Sequence, residues 1–193
     1  MILDPKEIGW SILDEERDPR IYSRLAIVPC GTKAANLPDY VDRMYWPSEW
    51  PNKKYNEIGI FHVIERADDL IKFWKDLYQI CEHGTFVKVY GNYWASTDTF
   101  ADPTYKRGIS DKMFDFVSAI GRKRLEDDLY DDGVACGVLS DVDFDVRSVV
   151  PIVSPLWEGK ADYERDYFIT HYLNVARKIE VRLMAHKPVR KID

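Results

Sequence analysis

Continuous apolar runs alternate with helically spaced apolar positions along the middle of the chain. The runs at Arg24–Pro29 and at residues 57–63 predict two buried strands. Residues 68–81 carry apolar side chains every three or four positions, on one stripe of a helix. This stripe comprises Leu70, Phe73, Trp74, Leu77 and Cys81. Residues 85–90 alternate like a strand. A strand, a helix and a strand in succession predict a βαβ crossover and a parallel sheet covered by helices.

Local signals mark the ends of this helix. Asp68 and Asp69 stand near its start, where the helix dipole favours acids. Gly84 follows its expected end and serves as a stop signal. A polar loop rich in Asn, Thr, Asp and Pro is expected at residues 91–107.

The C-terminal part of the chain predicts a further helix and then a strand, a helix and a strand. A helix is expected at residues 110–124, with Ser110 as its N-cap. Its apolar face comprises Met113, Phe114, Val117 and Ile120. We expect a strand at residues 143–153, a helix at 162–178 and a last strand at 179–186. The last strand is expected to pair antiparallel with residues 143–153, as is common at the edge of a parallel sheet.

Composition narrows the class of protein. The chain has 193 residues and 31% charged residues, which predicts one folded domain over residues 1–193, with residues 1–23 as an N-terminal extension. Lys and Arg number 27 against 33 Asp and Glu, an excess of acids that disfavours non-specific nucleic-acid binding. No apolar run is long enough to cross a bilayer, and the first twenty residues do not resemble a secretory signal. The three cysteines have no paired spacing, so we expect a reducing, cytoplasmic compartment.

Three segments, in the same order, resemble small class I methyltransferases that use S-adenosylmethionine. The first is residues 50–58, which contain Trp-Pro and Tyr-Asn-Glu-Ile. The second is Phe-His-Val-Ile-Glu-Arg at residues 61–66, followed by the helix and by Gly-Thr-Phe-Val-Lys-Val at 84–89. The third is Ala-Asp-Pro-Thr-Tyr-Lys-Arg at residues 101–107. The resemblance implies an α/β, Rossmann-like sheet that binds the cofactor across the carboxyl ends of its strands.

The resemblance also assigns a cofactor site. Residues of the loop after the first strand, together with two residues at the end of a later strand, are expected to line it. These residues are Pro29, Cys30, Gly31, Thr32, Phe61 and His62. Asp42, at the end of a shortened second strand, is expected to hold the ribose hydroxyls.

The chain departs from the family pattern at two places. The cofactor loop keeps only Gly31, and Pro29 replaces a glycine where the backbone has to lie against the ligand. Only 30 residues separate Gly31 from Phe61, so the region of the second and third strands is shortened and no third strand is evident. Both departures weaken the prediction of a functional cofactor site.

Candidate chemistry follows the carboxyl ends of the predicted strands. His62 is a candidate general base because imidazole titrates near neutrality, although a packed histidine explains it equally well. Glu65 is a candidate helix-start acid, and Arg66 stands where the family tends to carry a histidine. Loops in this position bind substrates. The candidate acceptor-binding residues are Tyr93, Trp94, Asp102, Tyr105, Lys106 and Arg107. The alternative is that Asp102 only makes a turn and Arg107 only ties the loop to the sheet.

Acidic residues at 141–145 offer a divalent-metal interpretation. We favour a plain strand, with Val142, Phe144 and Val146 facing inward and the aspartates outward. The histidines show no metal-binding spacing, so no metal site is predicted.

Three functions remain open. The first is an S-adenosylmethionine-dependent methyltransferase that acts on a small-molecule or glycan acceptor. The second is an inactive methyltransferase-like domain that serves as a protein-binding or structural subunit, for which the exposed-looking Trp46, Trp50 and Trp94 are suited. The third is a sugar-nucleotide transferase that uses Asp141 and Asp143. Aromatic residues make up 13% of the chain, and they are divided between the core and the rim of the expected pocket.

Overall fold

A six-stranded sheet organises the residues that the computed structural model describes, namely 23–30, 37, 41–128 and 136–192. Its strands are β1 (Arg24–Pro29), β2 (Val41–Trp46), β3 (Tyr55–Phe61), β4 (Cys81–Asn92), β5 (Phe144–Val153) and β6 (Ala176–Ala185). They lie in the order β2-β1-β3-β4-β6-β5. The first four strands are mutually parallel, and β6 pairs antiparallel with both β4 and β5. The predicted α/β sheet is confirmed, with only one strand, β2, among the described residues of the shortened stretch of chain that joins β1 to β3, and with a C-terminal antiparallel pair.

Four α-helices accompany the sheet in the described part of the chain. They are α1 (Leu70–Ile80), α2 (Asp98–Ala101), α3 (Ala119–Asp128) and α4 (Asp162–His171). Short 3-10 helices lie at Asp111–Asp115, Cys136–Leu139 and Pro155–Trp157. No helix among the residues described is both long and apolar enough to span a membrane.

The predicted apolar stripe of α1 packs on the sheet. Phe73, Trp74 and Leu77 are buried, and Asp69 caps the helix by accepting a hydrogen bond from the backbone N–H of Lys72. The Trp74 ring meets those of Phe114 and Phe144 edge to face, with centroids 6.1 and 6.0 Å apart. This part of the aromatic excess therefore belongs to the core, as predicted.

Two helix ends differ from the predictions. Helix α1 ends at Ile80 and the chain enters β4 directly at Cys81, so Gly84 is not a helix stop. Gly84 lies within β4 at φ 85°, in a left-handed conformation that favours glycine, where the pairing with β3 is irregular. Helix α4 ends at His171 rather than at residue 178, because β6 already begins at Ala176.

The helix predicted at residues 110–124 is divided. A 3-10 helix at Asp111–Asp115 is followed by α3, and the side chain of Ile120 is half exposed instead of lying on a buried face. The two segments meet closely, since a Cβ atom at Gly121 would lie 2.4 Å from the carbonyl oxygen of Asp115. Phe114 and Val117 are buried as predicted.

Asp143 is the centre of a buried charge network, which corrects the prediction that the aspartates face outward. Its side chain is fully buried. It accepts hydrogen bonds from the Nε and Nη2 atoms of Arg190, both at 2.7 Å, and from the backbone N–H of Ala119 at 2.9 Å. Val146, predicted to face inward, is 36% exposed. Asp141 pairs with Lys75, and no group of three or more metal-ligating side chains occurs in the described chain.

The network controls the ionisation of Asp143. Burial raises the pKa of this carboxyl, but the hydrogen bonds from Arg190 and Ala119 outweigh burial and hold the pKa below its ordinary value of 3.8. A lowered pKa means that the stabilisation is present above the ordinary value and is lost as the pH falls through the folded-state value.

We predict that Asp143→Asn lowers the free energy of unfolding by about 3 kcal/mol near neutral pH, because Arg190 loses its buried counter-ion. The difference from the wild type should shrink as the pH falls below 3.8, the ordinary pKa of an aspartate, and through the lowered pKa of Asp143. Urea unfolding at several pH values measures both effects. The exposed neighbour Asp141 provides a control, since Asp141→Asn should change stability by less than about 1 kcal/mol. An equal loss at every pH would contradict this account of Asp143.

Candidate functional site

The carboxyl ends of three parallel strands meet at one edge of the sheet. The register pairs Ile27 of β1 with Ile60 of β3, and Phe61 with Tyr90 of β4. The residues that follow, Cys30, His62 and Asn92, therefore lie at this edge, which we call the carboxyl edge. Ligands of open α/β sheets bind at this kind of edge.

His62 is fixed directly after β3. Its backbone adopts φ 53°, a left-handed conformation that is uncommon for residues other than glycine. Its N–H donates to the carbonyl of Tyr90 at 2.9 Å. The imidazole ring lies edge-on to the Tyr90 ring and is stacked with the Tyr105 ring, at centroid distances of 5.6 and 6.4 Å. Only 3% of the His62 side chain is exposed.

Glu65 is the hydrogen-bond partner of His62. The His62 Nδ1 atom lies 3.0 Å from the Glu65 Oε1 atom, and the backbone N–H of Asn92 donates to the same oxygen at 2.7 Å. The Glu65 side chain is fully buried, and its Oε2 atom has no hydrogen-bond partner in the described structure. A carboxylate in this position holds a proton on Nδ1 and leaves the other ring nitrogen, Nε2, free to accept one.

Gly91 makes room for this carboxylate. A Cβ atom at position 91 would lie 2.5 Å from Glu65 Oε1 and 2.6 Å from the Cδ1 atom of Ile109. The backbone N–H of Lys106 also donates to the carbonyl of Glu65 at 2.7 Å. The position of Glu65 is therefore determined by β4 and by the loop that follows it.

Arg66 and Tyr105 cover the histidine. The Arg66 guanidinium lies 4.3 Å from the centroid of the Tyr105 ring, donates to the His62 carbonyl at 2.8 Å and donates to the Asp102 carboxylate at 2.6 Å. Hydrogen bonds from Thr104, followed by the charge of Arg66, hold the pKa of Asp102 below its usual value. Burial raises the pKa of the Tyr105 hydroxyl. Arg66 thus takes a structural position where the resemblance implies a histidine.

The structure brings some of the predicted site residues together. Phe61 ends β3 and His62 follows it, Pro29 ends β1, and Tyr93 follows β4, all at the carboxyl edge. Asp102 and Tyr105 both contact Arg66, which donates to the His62 carbonyl. Cys30 is exposed, and Trp94 is 46% exposed. Gly31 and Thr32 lie outside the described residues.

Two predicted acceptor-binding cations are engaged within the protein. Arg107 donates to the carbonyls of Ile64 and Ala67, so it ties the loop to the turn after β3. Lys106 pairs with the exposed Asp68 carboxylate. The alternative reading of Arg107 as a structural tie therefore fits its contacts.

Asp42 lies at the opposite edge, which corrects the prediction that it ends the second strand. It is the second residue of β2 and pairs with Leu25 near the start of β1. Its carboxylate accepts a hydrogen bond from the Tyr55 hydroxyl at 2.9 Å and pairs with Lys53 at 2.5 Å. The hydrogen bond from Lys53 keeps the pKa of Asp42 below its ordinary value. A contact with a ribose at the carboxyl edge does not fit this position.

Pro29 also differs from its predicted role. It is the last residue of β1, is buried, and pairs with Trp46 of β2. The next residue, Cys30, donates its N–H to the Trp46 carbonyl at 3.0 Å. The expected start of the cofactor loop is therefore still part of the sheet.

Glu65, Gly91 and Asn92 were not predicted as site residues. Glu65 follows His62 by three positions, and this spacing is the one local signal for their contact. The contact with the Asn92 N–H joins residues 27 positions apart and has no local signal.

No protein-family model and no curated protein matches the chain. Among solved structures, a SAM-dependent methyltransferase from Archaeoglobus fulgidus superposes with a TM-score of 0.51 at 11% identity, over 84% of this chain and 86% of that one. The YcgJ protein from Bacillus subtilis superposes with a TM-score of 0.52 at 9% identity, over 94% of this chain and 99% of that one. The chain therefore has a class I S-adenosylmethionine methyltransferase-like fold.

We predict that Gly91→Ala lowers the free energy of unfolding by about 2 kcal/mol, because the new methyl group collides with Glu65 and Ile109. Urea unfolding measures the loss. Gly137→Ala is the matched control, since a Cβ atom there has no described atom within 4 Å. Equal stability of the two variants would show that Glu65 is not held against Gly91.

Proposed function

We propose that the chain binds S-adenosylmethionine at the carboxyl edge and catalyses methyl transfer to a small-molecule or glycan acceptor. The observation that carries the proposal is the buried pair of His62 and Glu65, placed after β3 on a methyltransferase-like fold. A base held by a carboxylate is the arrangement that accepts a proton from a reacting group.

The residues at this edge suit the methyl donor. Cys30 is exposed, and the Tyr90 ring is half-buried. A ligand that carries a cationic group and a flat base fits an aromatic surface of this kind. When bound, S-adenosylmethionine supplies the methyl group.

Glu49 is our candidate for the ribose contact in place of Asp42. It stands three residues after the end of β2, close to the carboxyl edge, and it is exposed. An acid about 20 residues after the glycine loop binds the ribose hydroxyls in nucleotide-binding folds of this type. Glu49 lies at about that distance from the expected loop.

Different residues of the chain take different roles in the proposed reaction. Glu65 fixes the imidazole so that His62 Nε2 is free, and this atom takes the proton that the acceptor loses. Tyr105 and Arg66 separate His62 from water, which strengthens electrostatic interactions at the site.

A specific observation favours the second function, an inactive subunit. Pro29 and Cys30 are bonded into the sheet where the family has a glycine loop, and Asp42 is at the wrong edge. The sugar-nucleotide transferase loses its support, because Arg190 already neutralises Asp143.

Calorimetric titration with S-adenosylmethionine and S-adenosylhomocysteine tests the proposal. We predict binding of both, and a loss of affinity of about tenfold in Glu49→Gln, which removes the hydrogen-bonding carboxylate. Asp42→Asn is the matched control and should bind as the wild type does. Absence of binding at millimolar ligand would refute the methyltransferase and favour the inactive subunit. A loss in Asp42→Asn but not in Glu49→Gln would refute the ribose assignment alone.

A further inference from the structure

The carboxyl ends of β4 and β5 reach the same level of the sheet. Tyr90 of β4 and Val150 of β5 both lie opposite Glu180 of β6. Two positions further along, Asn92 and Ile152 both lie opposite Lys178. The end of β5 therefore belongs to the carboxyl edge and is two strands from the residue that contacts Glu65.

A cavity of about 490 Å³ lies at this end of β5, beneath α4. Its volume is in the range of small-molecule sites. Val149, Pro151 and Val153 of β5 and Ile169 of α4 give it an apolar lining. Tyr93, which directly follows β4 and is 5% exposed, also lines it.

The cavity carries an excess of negative charge. Asp111 and Asp166 line it, and neither carboxylate is in an ion pair within the described part of the chain. Arg165 also lines the cavity, but its guanidinium is engaged by Asp162. Burial raises the pKa of the Tyr93 hydroxyl, and the charge of Asp111 raises it further.

Helix α4 has few contacts of its own. None of its residues is buried, although Ile169 packs against the core. A helix that rests lightly on a sheet above a cavity can yield to a ligand with little loss of packing.

We propose that this cavity is the acceptor subsite and that the acceptor is an organic amine with an apolar body. That the bound amine is a methyl acceptor rests on the proposed methyltransferase function. That the cavity binds an amine does not. Two carboxylates that have no counter-ion among the described residues, beside the apolar side chains of β5 and Ile169, favour a protonated amine over a neutral or anionic compound.

The proposal is tested by binding alone, without S-adenosylmethionine. Ligand-observed NMR titration compares 2-phenylethylamine with 2-phenylethanol, a neutral compound of nearly the same shape. We predict that the amine binds about tenfold more tightly than the alcohol, and that Asp111→Asn and Asp166→Asn each weaken amine binding about three- to tenfold. Both carboxylates are on exposed residues, so neither variant should impair folding.

Asp141→Asn is the matched control, because it removes the same charge from an exposed aspartate outside the cavity. It should leave amine binding unchanged. Equal affinity for the alcohol, unchanged binding in both cavity variants, or no binding of either probe would overturn the proposal. Failure to bind S-adenosylmethionine would refute the proposed function. It would not bear on whether the cavity binds an amine, which the NMR titration tests by itself.

Discussion

The fully buried carboxylate of Glu65 needs hydrogen bonds at the carboxyl edge, and this need constrains the rest of the site. Glu65 has no access to water, and burial of an ionised group is costly unless its oxygens receive hydrogen bonds. Oε1 receives two, from His62 and from the backbone of Asn92. Position 91 lies against the carboxylate and has no side chain. The turn after β3, the end of β4 and the loop at Lys106 are therefore fixed relative to one another.

At the opposite edge of the sheet, ion pairs stabilise the carboxylates. Asp143 joins the start of β5, the start of α3 and the C-terminal Arg190, and its charge is paired with the Arg190 guanidinium, which also contacts Asp145. Asp42 is likewise balanced by Lys53. The two edges therefore differ in chemistry. At the carboxyl edge one buried carboxylate oxygen has no partner, and two aspartates beside α4 have no counter-ion among the described residues. Of these groups only the Glu65 oxygen is buried, and a buried polar atom without a partner is the kind that needs a structural or functional explanation.

The fold was largely predictable, because apolar runs and helical spacing are local properties of the chain. The positions of Asp42 and Asp143 were not. Only two residues of β2 are well buried, as expected of an edge strand, so its apolar pattern is weak and the sequence places Asp42 at the end of the strand rather than near its start. Asp143 is buried because Arg190, 47 positions later, neutralises it. His62 was identified through the family resemblance, whereas the partners of Glu65 depend on a tertiary contact that no local pattern encodes.

The protonation pattern of the His62 ring tests the central claim most directly. Long-range proton–nitrogen NMR spectra of protein labelled with ¹⁵N-histidine distinguish the two ring nitrogens. Above neutral pH, our account predicts a proton on Nδ1, donated to Glu65, and an unprotonated Nε2. In Glu65→Leu, which removes the acceptor, this single tautomer should give way to a mixture. A proton on Nε2 in the wild type, or the same tautomer in both proteins, would contradict the account.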